Sequence, residues 1–230
     1  MNNQDTLIES NCHVDQNVKM GHGNKILRNS IIWGPCEIGN NNVIGPNVVI
    51  GAPAQHTRDK YYDSTNKKIK IGNNCIIREF CSIQKPYDLD MTVVEDDVYI
   101  MEKVHIPHDA KICNNSIICP GVVLGGNTQV LEGANLGINS SAHQETIIGQ
   151  YSMIGMGVIL KKNVKPFSLK TENKPLTINL YALKKFGFEE LKREIHQYIL
   201  RETFPTTPFL INTIKEFELL SKNSGRPVYK

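Results

Sequence analysis

The chain has 230 residues and a formal net charge of +3, a length that accommodates one substantial domain and a small appendage. The nearly balanced charge, with one short basic run at Lys67, Lys68 and Lys70, argues against a nucleic-acid-binding protein. No apolar run approaches the roughly 20 residues that cross a bilayer, and the polar N-terminus lacks the pattern of a secretory signal. We therefore expect a cytoplasmic protein without an integral membrane segment.

Aliphatic residues recur at every sixth position along most of the chain. The steps run from Ile8 to Ile50, from Ile71 to Ile83 and from Val94 to Leu160, and each lands on an aliphatic residue or a methionine. A second series, four residues later, holds small or β-branched residues. This period differs from that of a helix (3.6) and of a two-faced strand (2), and short repeats of this kind predict a solenoid. We expect an all-β left-handed parallel β-helix over residues 1–168, with three short strands in each triangular coil of about 18 residues.

Glycines and cysteines hold fixed places in this repeat. Several glycines follow the aliphatic position or lie near it, where we expect tight corners to favour them: Gly39, Gly45, Gly72, Gly125, Gly149 and Gly155. The second series includes four of the six cysteines: Cys12, Cys36, Cys75 and Cys81. Because no CxxC pair occurs, we expect small buried thiols rather than disulfides or zinc ligands.

The period is broken twice before it ends. Residues 51–70 are polar, contain Pro53 and shift the phase, so we predict a loop that projects from the prism. A second shift lies between Ile83 and Val94, around Pro86. Beyond Pro166 the spacing becomes helical, over 181–204 with an interruption at Gly187, and again over 208–222. We expect residues 169–230 to form a small α-helical C-terminal domain that caps the solenoid.

The segment His105-Ile106-Pro107-His108-Asp109 carries groups suited to acid–base chemistry. Ile106 occupies an inward position, which places both histidines on the outer surface or near a corner. His108 can act as a general base, with Asp109 nearby to orient it. The alternatives are surface histidines without a role, or a metal site for which no third ligand is apparent.

The same segment resembles the HIAHD-type segment of the UDP-N-acetylglucosamine acyltransferases that begin lipid A synthesis. The resemblance covers most of the chain, because counterparts occur in the same order for IREFCSI, the loop with Gln55, LGGN at 124–127, AHQ at 142–144, ALKKFGF at 182–188 and the final SGRPVYK. The related nucleotide-amino-sugar N-acyltransferases of surface polysaccharide synthesis share much of this pattern. SMIGMG at 152–157 looks more like that second group.

The resemblance implies roles for individual residues. His108 becomes the general base for an acceptor hydroxyl or amine, Asp109 supports it, and the backbone N–H of Gly126 stabilises the oxyanion formed from the thioester carbonyl. The residues that it implies to contact the substrates are Gln55, His56, His105, Asn127, His143, Gln144, Met156, Asn179 and Lys185. Gln55 would contact the sugar, and Asn179 and Lys185 would approach the nucleotide. The resemblance also implies a homotrimer with its clefts between prisms.

Four departures from the lipid A pattern guide the choice of reaction. His56 stands where an acidic residue is expected, Asn127 where a histidine is expected, and Met156 where a glycine occurs at the position that limits acyl-chain length. Lys185 and Phe186 replace two arginines, which removes a phosphate-binding charge. These changes favour transfer of a short acyl group from coenzyme A or acyl carrier protein to a nucleotide-linked amino sugar, with no permanently bound cofactor.

Other reactions stay open. The principal alternative is 3-O-acylation of UDP-N-acetylglucosamine for lipid A, with an acyl carrier protein as the donor. A lesser one is a zinc-dependent β-helix resembling carbonic anhydrases, in which His105, His108 and His143 converge on a metal across a trimer interface. The last is a binding module without catalysis.

Overall fold

The computed structural model describes residues 5–59 and 66–230, so part of the predicted loop, residues 60–65, lies outside the described residues. The fold is a left-handed parallel β-helix followed by helices at the C-terminus, as the six-residue period predicts. Strand numbers below follow the chain.

The strands form three sheets, the faces of a triangular prism. The first sheet contains β1 (Leu7–Ile8), β4 (Lys25–Ile26), β7 (Val43–Ile44), β10 (Ile76–Ile77), β13 (Tyr99–Ile100), β16 (Ile117–Ile118), β19 (Asn135–Leu136), β22 (Met153–Ile154), β24 (Ser168–Lys170) and β25 (Thr177–Ile178). The second contains β2 (His13–Val14), β5 (Ile31–Ile32), β8 (Val49–Ala52), β11 (Ser82–Gln84), β14 (His105–Ile106), β17 (Val123–Leu124), β20 (Ser141–Ala142) and β23 (Ile159–Leu160). The third contains β3 (Val18–Met20), β6 (Cys36–Ile38), β9 (Lys68–Ile71), β12 (Met91–Val94), β15 (Lys111–Ile112), β18 (Gln129–Val130) and β21 (Ile147–Ile148).

The inward aliphatic residues stack in columns inside the prism. Ile100 pairs with Ile118, and Ile118 pairs with Leu136 one coil further on. These side chains are almost completely buried, so each coil hides its apolar surface only with its neighbours in place. All six cysteines are free thiols, and four are buried. Burial raises the pKa of Cys36 to about 12, which keeps its thiol protonated and unreactive.

At both breaks in the period, the chain leaves the prism at the same corner. Equivalent residues of neighbouring coils lie 18 positions apart in the regular part, whereas Asn40 and Asn73 are separated by 33 and Asn73 and Asp96 by 23. The extra residues lie between β8 and β9 and between β11 and β12. Each therefore connects the second sheet to the third, and the two insertions lie at the same edge of the molecule.

The corner glycines serve a purpose other than the predicted one. Gly39 does not adopt a left-handed backbone, but a Cβ there would lie 2.5 Å from the carbonyl oxygen of Gly72. The left-handed residue of that turn is Asn41, with φ of 58°. Asparagine takes the same conformation in many other turns: Asn11, Asn29, Asn47, Asn74, Asn115, Asn127 and Asn139. Close approach between coils, rather than backbone freedom, thus favours glycine at Gly39, Gly45, Gly72, Gly125 and Gly149, whereas at Gly155 a Cβ would have no atom closer than 3.4 Å.

The C-terminal part contains α1 (Leu180–Phe186), a 3₁₀ turn (Glu189–Leu191), α2 (Lys192–Arg201) and α3 (Pro208–Asn223). The fully buried Asn163 ties it to the last coil, since its amide donates to Ser221 Oγ at 2.7 Å and Ser224 Oγ at 2.9 Å. The domain boundary after residue 168 stays a prediction. Within the described ranges, no helix has the length and apolarity needed to span a bilayer.

Candidate active site

His108 stands at the corner where both insertions leave the prism, directly after β14. Its Nδ1 lies 2.7 Å from Oδ2 of Asp109, and the two side chains are 15% and 2% exposed. An imidazole bound to a carboxylate through Nδ1 carries its proton there and leaves the Nε2 lone pair free to accept one. The pair therefore has the arrangement of an oriented general base.

Asp109 is held by the second insertion. Its carboxylate accepts hydrogen bonds from the backbone N–H groups of Tyr87 at 3.1 Å, Asp88 at 3.2 Å and Leu89 at 2.7 Å. The backbone N–H of Asp109 itself donates to Thr92 Oγ1 at 3.0 Å. Burial opposes ionisation, but the hydrogen bonds from His108 and these three amides outweigh it and lower the pKa of Asp109 below its ordinary value. The carboxylate is therefore a fixed negative partner for the histidine.

Gly126 packs against the imidazole from the next coil. A Cβ at this position would lie 2.5 Å from Nε2 of His108, so any side chain would displace the base. The backbone N–H of Gly126 makes no hydrogen bond to any of the described residues. By contrast, at the same step of another corner the Asn73 N–H donates to Asp96 Oδ1 at 2.7 Å. Beside the base, this corner thus presents an unoccupied donor.

The first insertion forms the other wall. The ring of His56 stacks on Tyr87 at 4.2 Å and meets His108 edge-on at 5.3 Å. Together the walls enclose a cavity of about 240 Å³, lined by Gln55, His56, Thr57, Asp88, His108, Asp109, Gly126, Asn127, Gln144 and Glu145. The structure therefore brings seven of the predicted site residues together: Gln55, His56, His108, Asp109, Gly126, Asn127 and Gln144.

His105 is the first residue of β14, just before the corner, and it is partly buried. Its Nδ1 is 2.8 Å from Ser82 Oγ. Burial, with a smaller contribution from nearby His108, lowers the pKa of His105. Near neutral pH it is therefore an uncharged ring that bonds to the neighbouring strand β11.

Arg226, which the sequence did not single out, holds the wall that carries His143 and Gln144. Its guanidinium donates to His143 Nδ1, to the carbonyl oxygen of Gln144 and, at 3.2 Å, to that of Lys161. The tail that carries Arg226 is itself anchored, because the Asn163 N–H donates to the Pro227 carbonyl at 2.8 Å. The C-terminal segment therefore positions one side of the pocket.

Five predicted residues do not line this pocket: His105 and His143, described above, and Met156, Asn179 and Lys185. Met156 is 70% exposed and follows β22 at a different corner. Asn179 is buried, where its side chain caps α1 by accepting the Ala182 N–H at 3.2 Å and donates to the Tyr151 carbonyl at 2.8 Å. Lys185 extends over the ring of Phe186 in the helical part. Their contacts with substrate stay predictions, and for Asn179 the structure shows a structural role.

Among residues 5–59 and 66–230 of one chain, no three or more His, Cys, Asp or Glu side chains group in the way that a metal ion requires. Nδ1 of His105 is bonded to Ser82, and Nδ1 of His143 is bonded to Arg226. The zinc alternative, in which the histidines meet across a trimer interface, stays a hypothesis.

Comparison with known proteins begins with the repeat. The profile of the bacterial transferase hexapeptide family (six repeats) matches residues 17–52 and 91–126, which lie in the coils described above. These two segments of the chain therefore carry the repeat of that family.

The acyl-acyl-carrier-protein UDP-N-acetylglucosamine O-acyltransferase of Burkholderia orbicola is 34% identical over 155 residues, 66% of this chain and 58% of the relative. The protein of the same name from Campylobacter concisus is 26% identical over 98% of this chain and 86% of its own length. The solved structure of a UDP-N-acetylglucosamine acyltransferase from Bacteroides fragilis superposes with a TM-score of 0.80, at 27% identity and with 98% of each chain covered. The matched region spans about three fifths of the first curated relatives.

Proposed function

We propose that this protein transfers an acyl group from an acyl-carrier-protein thioester to a hydroxyl of UDP-N-acetylglucosamine. The observation that carries the proposal is that the oriented imidazole of His108 packs against Gly126, whose backbone N–H has no partner among the described residues. A base and an oxyanion donor side by side are what acyl transfer requires. The names of the relatives supply the substrates.

The proposed reaction uses the two groups in sequence. Nε2 of His108 takes the proton of the acceptor hydroxyl as its oxygen attacks the thioester carbonyl carbon. The carbonyl oxygen gains negative charge and accepts the Gly126 N–H. When the tetrahedral intermediate collapses, the carbon–sulfur bond breaks, and the imidazolium returns the proton to the departing thiolate. Asp109 stabilises the imidazolium throughout without taking its proton.

The predicted preference for a short acyl group and an amino sugar has less support than this alternative. The names of the relatives specify O-acylation. Phe186 packs edge-on against Tyr151 at 4.9 Å and stacks near Phe188, so aromatic packing accounts for the residue that replaces an arginine. Met156 lies away from the pocket within one chain, and its exposure gives no direct measure of acyl length.

We also propose that a second copy completes the site. Met156 and Lys185 are exposed and lie away from His108 within one chain. A trimer of prisms, as the resemblance implies, would place such residues of one copy beside the pocket of another. Light scattering of the purified protein tests this assembly directly, and a monomer at assay concentration would contradict it.

A thiol-release assay tests the reaction. Acetyl-coenzyme A and hydroxyacyl-acyl-carrier-protein thioesters are each combined with UDP-N-acetylglucosamine and with a nucleotide-linked amino sugar. We expect turnover with the carrier-protein thioester and UDP-N-acetylglucosamine. Turnover only with the short thioester and the amino sugar would replace the proposal with N-acylation, and activity abolished by chelators would favour the zinc alternative.

A further inference from the structure

The imidazole of His56 is fixed in the pocket by contacts on two sides. It lies nearly parallel to the Tyr87 ring, with 4.2 Å between centroids and 6° between planes. It also meets His108 at 83° and 5.3 Å. Two aromatic neighbours at such distances define the plane of the ring. Tyr87 is in turn held by its N–H bond to Asp109 and lies beneath the guanidinium of Arg58.

The hydrogen bond of His56 defines which nitrogen carries the proton. The backbone N–H of Arg58 donates to Nδ1 of His56 at 3.2 Å. A neutral imidazole that accepts at Nδ1 bears its hydrogen on Nε2. Nε2 has no other hydrogen-bond partner in the described part of the chain. His56 therefore presents a fixed N–H donor to the pocket that it lines.

Fixed donors are few in this pocket. Asp88 and Glu145 contribute carboxylates, which only accept at neutral pH, and His108 offers the lone pair of Nε2. The side-chain amides of the lining residues can present either an oxygen or an N–H group. The proposed function assigns the Gly126 N–H to the thioester oxygen. Among the lining side chains, the donor with a defined direction is Nε2–H of His56.

We propose that His56 is a specificity-determining residue that donates its Nε2–H to an oxygen of the acceptor sugar. Such a donor selects an acceptor with an oxygen lone pair at that point. It disfavours an ammonium group, which has no lone pair and whose positive charge is repelled by the partial positive charge of the N–H hydrogen. The inference rests on the proposed acyl transfer to a nucleotide sugar, and it identifies the side chain that recognises the sugar.

The test compares two substitutions of equal size. In His56→Gln the amide nitrogen stands near the position of Nε2 and keeps a donor, whereas His56→Glu removes the donor at neutral pH. The matched controls are His22→Gln and His22→Glu, because the His22 side chain is exposed and remote from the pocket. KM and kcat are measured for UDP-N-acetylglucosamine and for its amino-sugar analogue, after thermal melting has shown that each variant folds.

We expect His56→Gln to keep the KM for UDP-N-acetylglucosamine within about threefold, and His56→Glu to raise it at least about tenfold, the effect of one lost hydrogen bond with a polar group left unpaired. The preference for UDP-N-acetylglucosamine over the amino sugar should fall in His56→Glu only. If the two variants have equal KM values, the role of His56 is wrong while the proposed function stands. If the wild-type protein turns over none of the substrate pairs, the proposed function fails and this inference fails with it.

Discussion

Two corners of the prism follow the same backbone path and differ in their side chains. One of these is the corner between the third and first sheets, called here the ladder corner. Its residues two positions after the inward aliphatic residue include Asn40, Asn73, Asp96 and Asn114. Each accepts the backbone N–H of its equivalent in the preceding coil, at 2.7–2.9 Å. A column of short polar side chains thus satisfies the amides that the turns leave open.

The catalytic corner, between the second and third sheets, holds His108, Gly126 and Gln144 at the same step. Glycine has no side chain with which to bind the amide of the coil before it, and the N–H of Gly126 itself stays open. Both insertions leave from this corner and form its walls. One repeat can therefore give either stability or a reactive pocket, depending on whether its backbone amides are satisfied internally.

Among substitutions that leave the His108 side chain itself in place, the largest effect on turnover is expected from Gly126→Ala. The new Cβ would lie 2.5 Å from Nε2 of His108 and would displace the base. Because a shift of about 1 Å can cost 10²-fold, we expect kcat to fall by about tenfold to a hundredfold. In the control Gly155→Ala the nearest atoms lie 3.4 Å away, so kcat should change by less than about twofold. Equal rates in the two variants would contradict the assigned contact.

A smaller loss is expected from Arg226→Ala. The change frees His143 and Gln144 but leaves His108, Asp109 and Gly126 in place. We expect kcat/KM to fall by about threefold to tenfold, which corresponds to one net hydrogen bond. Steady-state kinetics measures this effect, with Lys222→Ala as the control, because Lys222 is an exposed residue of the same C-terminal part of the chain. A wild-type value would show that the tail has no part in positioning the pocket.

A substitution at the ladder corner should lower the stability of the protein rather than its turnover. Asn73→Ala removes an oxygen that accepts the Asn40 N–H at 2.8 Å and its side-chain amide at 3.1 Å. We expect the free energy of unfolding to fall by about 1–2 kcal/mol, with kcat unchanged. Urea denaturation compares it with Asn212→Ala, an exposed change in α3. An unchanged midpoint, or a large loss of activity, would break the distinction between the corners.

The smallest effect concerns pH. The folded-state pKa of Asp109 lies below its ordinary value of 3.8, so the unfolded chain binds more protons in this range. The stability that Asp109 contributes is present above the unfolded pKa and is lost as pH falls through the folded pKa. We expect the pH dependence of unfolding below about pH 4 to weaken in Asp109→Asn. Parallel curves for wild type and variant would contradict the assigned hydrogen bonds.

Much of the architecture follows from local pattern. The six-residue period predicts the coils, and its two phase shifts predict where the chain leaves the prism. Asn179 also carried a local signal, because an asparagine directly before the run LYALKKF is typical of a helix N-cap. The resemblance assigned it to substrate contact, whereas the structure shows it capping α1.

Other parts depend on contacts that no local pattern encodes. The amides of Tyr87, Asp88 and Leu89 bind Asp109 from an aperiodic insertion, so neither spacing nor propensity could predict them. Arg226 reaches His143 and Gln144 across more than 80 residues. The resemblance predicts site residues along the chain, and the fold determines which of them share one pocket.

The most direct test of the central claim is the kcat of His108→Ala beside that of His22→Ala, measured by thiol release with UDP-N-acetylglucosamine and the carrier-protein thioester. The two histidines stand at the same step of the catalytic and ladder corners. We predict a loss of about 10²-fold or more for His108→Ala and no loss for His22→Ala. A loss under about threefold for His108→Ala would contradict a general base at this corner.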